Sequence, residues 1–256
     1  PGQKKLIPAY YVELMVSEKG TKDLIAYSHV ISAVDGAILN RTNMVQRDSF
    51  TYKVFADTAA PFAPFDSPMG NDLTPHPTGT YNDIITEVPA SMNDVTLEHS
   101  GISTNDPWLA DGATSTSGNN VDAYADLVAP DGFNEGDVRA QTTSGNTFDY
   151  THSHDDKVNS EENINAAVVS LFYVNNWLHD TYYNHGFDEA AGVAQMDNFG
   201  RGGIDGDPIR AEAQDHSGIN NPIMATPADG ASPRMHMFLW QTDTIRDGTI
   251  DNPIVE

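Results

Sequence analysis

Residues 159–184 read NSEENINAAVVSLFYVNNWLHDTYYN, and this stretch decides the fold. Ile164, Ala167, Val168, Leu171, Phe172, Leu178 and Tyr182 recur at steps of three and four residues, which puts an apolar stripe along about seven helical turns. Asn159 or Ser160 can cap the start, because a short polar side chain accepts from the first unpaired backbone N–H groups. Glu161 and Glu162 then sit at the positive end of the helix dipole. Gly186, free to adopt a left-handed conformation, ends the run. One long helix over about 159–184 is predicted.

Outward from that helix the texture is β-like. Residues 6–16 alternate, with Tyr10, Val12, Leu14 and Val16 on one side, and Leu24–Ile31 forms a second run after a turn at Gly20. Asp35-Gly36 makes a tight turn before Ala37-Ile38-Leu39, so a small β-meander ending near Val45 is expected. Gln46-Arg47-Asp48-Ser49 is a polar break, and Phe50–Phe55 opens a new strand, which divides the chain into 1–47 and 48–256. From 57 to about 150, Pro, Gly, Asn, Asp, Ser and Thr dominate, with short β-type islands at Tyr81–Val88 and Val121–Val128. Beyond the helix, Ile209–Ala213 and Arg234–Trp240 read as strands joined by a turn-rich link. The fold class is therefore α+β.

Composition narrows the function. With 256 residues, one large domain or two small ones would bury roughly 70–75% of the extended surface. Thirteen basic against thirty-seven acidic residues give a net charge of −24, which repels phosphate backbones and excludes nucleic acid as the expected partner. Such acidity suits a solvated surface, or Asp-rich loops that take calcium as a further cation. With no Cys there are no disulfides, thiolate zinc sites or cysteine nucleophile. No 18-residue apolar run exists to span a membrane. Residues Asp251–Glu256 give no cap or polar tail, and the chain is read as continuing past them.

Nine histidines direct attention to His and carboxylate chemistry. A helical hydrolytic zinc site needs two His four residues apart with a general base between them, and no such pair exists here. His179-Asp180 lies on the helix, but Tyr183 occupies the position of a second ligand, and His185 falls on another face. His179 is expected to be a hydrogen-bonded packing residue. His152 and His154 would share one side of an extended segment beside Asp155 and Asp156, an arrangement open to either a metal or plain solvation. His216 and His236 read as separate loop and strand residues. Ser217 has no nucleophile-elbow glycine pattern around it, and the loop Gly200-Arg201-Gly202-Gly203 carries no phosphate-binding Lys. Read residue by residue, the chain contains no complete catalytic site.

Several short stretches nevertheless resemble fungalysin metallopeptidases in order and spacing. They are Leu171–Asp180, Gly186–Gly192, Gln214–Asn221, Ala225–Gly230 and Pro233–Trp240. The resemblance implies a secreted, zinc-dependent, thermolysin-like metalloendopeptidase acting on protein or peptide substrates. It implies that this chain is the β-rich N-terminal subdomain, with residues 1–47 the end of a propeptide-like β segment and Arg47 a cut site. The family's own propeptide and C-terminal catalytic subdomain would be its partners. Asn220, Asn221 and Pro222 fall where the family places an edge strand that pairs with the substrate, although Asn220 and Asn221 suit a plain turn equally well. Pro222 departs from the pattern, which often has Ala there, and Pro offers no N–H. The zinc ligands and catalytic residues are expected just after Glu256, on a His-Glu-x-x-His helix, so no catalytic or metal residue is assigned within the chain. The alternatives are a non-catalytic extracellular protein, structural or binding calcium or carbohydrate on the same fold, and a serine hydrolase built on Ser217.

Overall fold

The computed structural model describes residues 6–17, 24–43, 48–65, 91–98, 106–153, 157–241 and 245–247. Predicted features at Tyr81–Val88, Val45, Arg47, His154 and the residues leading to Glu256 lie outside the described residues. The chain divides into two compact units, Pro1–Arg47 and Asp48–Glu256.

The first unit is an antiparallel meander of β1 (Ala9–Ser17), β2 (Leu24–Ser32) and β3 (Ile38–Asn43). The turn between β2 and β3 uses Gly36 at φ +76°, and Asp35 Oδ1 accepts from the Ala37 amide. The alternation in β1 fixes which side chains share a face but buries none of them: Tyr10, Val12, Leu14 and Val16 are all exposed.

The second unit is built around α1 (Glu161–Asn184). Ser160 is its cap, with Oγ accepting from the Asn163 amide, and Glu161 and Glu162 occupy the first turn as predicted. At the far end the Gly186 amide donates to Tyr183 O and the Phe187 amide to Tyr182 O, with Gly186 at φ +96°. The burial pattern departs from a single stripe. Every residue from Asn163 to Tyr173 is buried, while Tyr182 is 57% exposed. The first half of α1 is enclosed on all sides, and its last turns run beyond the core. Buried Asn165, Asn175 and Asn176 satisfy their amides by donating to the carbonyl four residues back in each case.

Two sheets flank this helix. One holds β4 (Ser49–Val54), β5 (Asn93–Glu98) and, parallel to β4, the short β7 (Thr147–Phe148). The buried members of β4, Phe50, Tyr52 and Val54, alternate with half-exposed ones. Tyr52 stacks on Phe148 at 5.5 Å and packs against Phe172 and Tyr173 of α1. Trp108 meets Tyr173 edge-on and donates Nε1–H to Asp180 Oδ2 at 2.8 Å. Burying each such ring contributes roughly 1.5–3 kcal/mol.

The other sheet contains β6 (Val121–Ala125), β8 (Ile209–Ala213), β9 (Pro222–Ala225) and β10 (Arg234–Met237), in the order β6-β8-β10-β9. β8 runs parallel to both β6 and β10, and β9 is antiparallel to β10. The predicted strand Arg234–Trp240 is interrupted at Phe238. β11 (Leu239–Gln241) resumes after it and pairs with β12 (Ile245–Asp247). Among the described residues the architecture is α+β, with one long helix against mixed sheets.

Candidate functional site

A period-2 alternation gives the four-stranded sheet two unlike faces. Val121, Ala123 and Ala125 of β6, with Ala211 and Ala213 of β8 and Met237 of β10, join the apolar core that contains α1. The intervening residues point the other way, and the parallel register aligns them in rows. Tyr124, Glu212 and His236 are direct lateral neighbours across β6, β8 and β10. Asp122, Arg210 and Arg234 form the row before.

The segment 126–139 meets this polar face. Phe133 packs edge-on against Tyr124 at 5.4 Å, and the Arg139 guanidinium lies 3.7 Å from the Phe133 centroid while pairing with both Asp122 oxygens. Asp126 and Asp137 shape the segment by accepting backbone amides from Gly132, Leu127, Val128 and Asn134. Asp131 approaches the cluster from this segment. The chain after β8 supplies Asp215, whose Oδ1 accepts the Ser217 amide at 2.6 Å.

The result is a buried knot of charge. Glu212 is fully buried, and its Oε1 accepts from Tyr124 OH at 2.6 Å. Burial pushes its carboxyl up to about 7, despite the hydrogen bond from Tyr124 and the nearby Arg234 and His236, which act in the opposite direction. His236 Nδ1 lies 2.5 Å from Asp215 Oδ2 and 2.9 Å from Glu212 Oε2. Arg234 Nη1 lies 2.5 Å from Asp131 Oδ2 and 3.4 Å from Glu212 Oε1. Burial would raise Asp215, but hydrogen bonds from Ser217 and His236 outweigh it and hold the carboxyl below its ordinary range. On the other side of Asp215, His216 Nδ1 bonds Asp126 Oδ1 at 3.0 Å. Burial lowers His216, yet Asp126 more than compensates and its pKa is raised.

His216 lies in the turn after β8 and His236 on β10, as expected, but the geometry corrects the expectation that they are separate, because both converge on Asp215. Nearness in space comes from the parallel β8–β10 pairing, which sequence distance conceals. A signal was present: Arg210-x-Glu212 and Arg234-x-His236 carry charge in the same alternating phase of two strands. His179 does pack inside the fold, with Nδ1 3.1 Å from Asp180 Oδ1. His152 is half-buried. His185 Nδ1 contacts Thr181 O, one turn back along the helix, and does not join His179 in a metal site.

Pro222 is the first residue of β9, the terminal strand of its sheet among the described strands, and Asn220 and Asn221 immediately precede it. Asn220 takes φ +57°, a left-handed turn that Asn tolerates, and its amide donates to Leu239 O at 2.9 Å. A turn and a strand therefore follow one another here. Ile223 and Met224 are 47% and 43% exposed, and β9 pairs with β10 alone among the described strands.

The profile of the fungalysin metallopeptidase family (M36) matches residues 81–256, more than half of the chain. The chain belongs to the fungalysin family. Curated fungal proteins agree with the match. Extracellular metalloproteinase 1 of Trichophyton equinum is 42% identical over 138 residues, covering 52% of this chain and 22% of that protein. Extracellular metalloproteinase 2 of Trichophyton tonsurans is 37% identical over 152 residues, covering 58% and 23%. Extracellular metalloproteinase 5 of Arthroderma gypseum is 42% identical over 137 residues, covering 52% and 21%. The chain thus spans about a fifth of the length of the curated relatives it matches.

A fungalysin carries a catalytic metal, and helical His-x-x-x-His spacing is absent from residues 1–256. His179 on α1 faces a neighbouring carboxylate and has no helical partner of its kind. The residues of this chain do not fit the metallopeptidase's catalytic metal. The two His-containing clusters do not suit calcium either, which takes oxygen ligands. Among the described residues no helix is long and apolar enough to cross a membrane.

Proposed function

We propose that this chain supplies the substrate-edge subdomain of a secreted zinc metalloendopeptidase of the fungalysin family, in which zinc-activated water hydrolyses a peptide bond. The observation that carries this reading is β9, an exposed strand that is terminal in its sheet of four among the described strands. Along such a strand every second residue turns its N–H and C=O away from the neighbouring strand, and an extended peptide completes the ladder. Asn220 turns the chain toward the edge, Asn221 leads into it, and Pro222 begins it. Pro222 accepts through its carbonyl but has no N–H, so substrate pairing is carried from Ile223 onward and by acceptors. The sheet's opposite edge, β6, lies beside the polar segment 126–139 and is not the binding edge.

The zinc ligands and the general base belong to residues beyond Glu256, and the first unit, Pro1–Arg47, is the end of a propeptide released near Arg47. Support for the first statement is the missing His-x-x-x-His, and for the second the compact, separate unit. The extracellular names of the relatives support secretion.

Backbone N-methylated peptides test the edge directly in the active enzyme containing this chain. Methylating an amide that pairs with β9 removes about 1 kcal/mol, a roughly fivefold rise in KM, while methylation at alternate positions has little effect. Equal KM values across the methylated series would refute pairing at β9. The 256-residue chain alone is expected to show no chelator-sensitive proteolysis, and N-terminal sequencing of secreted enzyme is expected to start within 45–50.

A further inference from the structure

Asp131, Glu212, Asp215 and His236 each present one ligand atom, and all four atoms lie within 4.8 Å of one another. Acidic clusters of this kind are common on protein surfaces, but this one has a feature that hydrogen bonding leaves unexplained. Glu212 is fully buried, and its Oε2 accepts no hydrogen bond. The oxygen nevertheless faces His236 Nδ1 at 2.9 Å, while that same nitrogen lies 2.5 Å from Asp215 Oδ2. A ring nitrogen carries at most one proton, which cannot point at both carboxylates. Leaving a buried carboxylate oxygen without a partner is costly, so the native state is expected to place something there.

We propose that Glu212 Oε2, Asp215 Oδ2, His236 Nδ1 and Asp131 Oδ1 bind a divalent transition-metal cation of the zinc or cobalt class, at a site distinct from the family's catalytic metal. The partners of the other carboxylate oxygens already divide the cluster in this way. Tyr124 OH holds Glu212 Oε1, Arg234 lies beside Asp131 Oδ2, and the Ser217 amide holds Asp215 Oδ1. Each carboxylate is thereby oriented with its second oxygen turned inward, as outer-shell groups orient ligands in metal sites. One imidazole nitrogen with carboxylate oxygens is a borderline N/O donor set, which suits zinc and its neighbours and not calcium. Metal–ligand bonds of about 2.0–2.2 Å in a tetrahedron place ligand atoms roughly 3.3–3.6 Å apart, within the spread seen here.

Charge agrees. In the ligating state, with all three carboxylates ionised and His236 neutral, they and the Arg234 guanidinium sum to −2, and a divalent cation brings that to zero. Entry is provided by Asp131, whose side chain is half exposed. Bound metal would clamp β8 to β10 and fix the segment carrying Asp131 over the sheet. β10 is the strand on which the exposed β9 is built, so the clamp would stiffen the edge from behind.

Because residues 1–256 lack a helical His pair, the 256-residue chain itself isolates this site from the catalytic one. Native mass spectrometry after Zn2+ addition is expected to show about one retained equivalent, and Co2+ is expected to give a visible absorption band of low-coordinate N/O type. His236→Gln keeps a hydrogen-bonding side chain, and it should abolish the band while leaving the circular dichroism spectrum unchanged. Tyr124→Phe frees Glu212 Oε1 and should weaken Co2+ binding by about tenfold or more. His216→Ala, outside the set, should leave the affinity unchanged. No Co2+ band in the folded parent chain, or a band equally strong in His236→Gln, would overturn the site. Either result leaves peptide pairing at β9 untouched, since that is read from KM in the active enzyme.

Discussion

On one face of the four-stranded sheet, Val121, Ala123, Ala125, Ala211 and Ala213 have no exposed surface and pack in the core that holds α1. On the other, Tyr124, Glu212 and His236 sit side by side, approached by Asp131, Asp126 and Asp215. The two faces come from the same alternating strands, yet different physics holds them. The apolar face depends on volume: its small Ala residues pack in the same core that holds Phe172 and its neighbours on the helix. The polar face depends on pairing, where each buried charge is tolerated only while its partner stays in place. A volume error is spread over many contacts, whereas a lost partner falls on one atom.

Substitutions that separate the two faces can break this comparison, and the largest effect is expected on the apolar side. Phe172→Ala removes a fully buried ring that packs on Tyr52 and Trp108, and should cost about 3–5 kcal/mol in denaturant unfolding. A loss below 1 kcal/mol would mean the core refills the cavity, and the volume argument would fail. On the polar side, Tyr124→Phe keeps the ring but withdraws the hydrogen bond to Glu212 Oε1. It should cost about 1–3 kcal/mol, measured in the presence of chelator. A neutral result would show that Arg234 satisfies Glu212 unaided.

Gly132 tests how tightly the segment 126–139 is held against that face. It has φ +99°, and a Cβ there would come 3.3 Å from Arg234 Nη2. Gly132→Ala should therefore cost about 1–3 kcal/mol. Its effect should fall disproportionately on the polar cluster, seen as altered chemical shifts for His236 with the Phe172 environment unchanged.

The smallest effect is a pH dependence away from both faces, where Glu189 provides a reference for a fully partnered buried carboxylate. Burial raises Glu189, but Arg201 and Tyr183 hydrogen bonds outweigh it and leave its pKa below the ordinary value of 4.5. Its contribution is therefore present above about pH 4.5 and is lost as pH falls through the lower, folded-state value. The Tm gap between the parent and Glu189→Gln should narrow steadily below pH 4.5. A gap that stays constant down to pH 3 would remove Glu189 as the source.

These contrasts also explain how much the sequence revealed. The helix was legible because its cap, charged first turn and terminal glycine act over a few residues, and the strand Ile209–Ala213 because alternation is local. Tyr182 was misplaced in the apolar stripe because periodicity continues past the point where the sheet stops covering the helix. The break at Phe238 follows from a contact that no local pattern records: its ring lies against Gly218, where a Cβ would come within 2.7 Å. The polar cluster was hidden for the same reason, since Asp131, Glu212, Asp215 and His236 come from three distant segments and meet only through sheet register. Asn220 and Asn221 read locally as a turn, and Asn220 does take a left-handed conformation; the strand after them depends on β10.

The parallel pairing of β6 with β8 has a kinetic consequence. Tyr124 and Glu212, hydrogen-bonded across that ladder, are 88 residues apart in the chain, and the whole of α1 lies between them. A ladder of this kind rewards no early contact: the intervening loop must close before the first rung forms. α1 has only nearest-neighbour requirements and can form long before. Assembly of the unit should therefore run from the helix outward, with the charged rungs of β8 and β10 completed last. The charged face of that sheet then exists only at the end of folding, after the interior that supports it is closed.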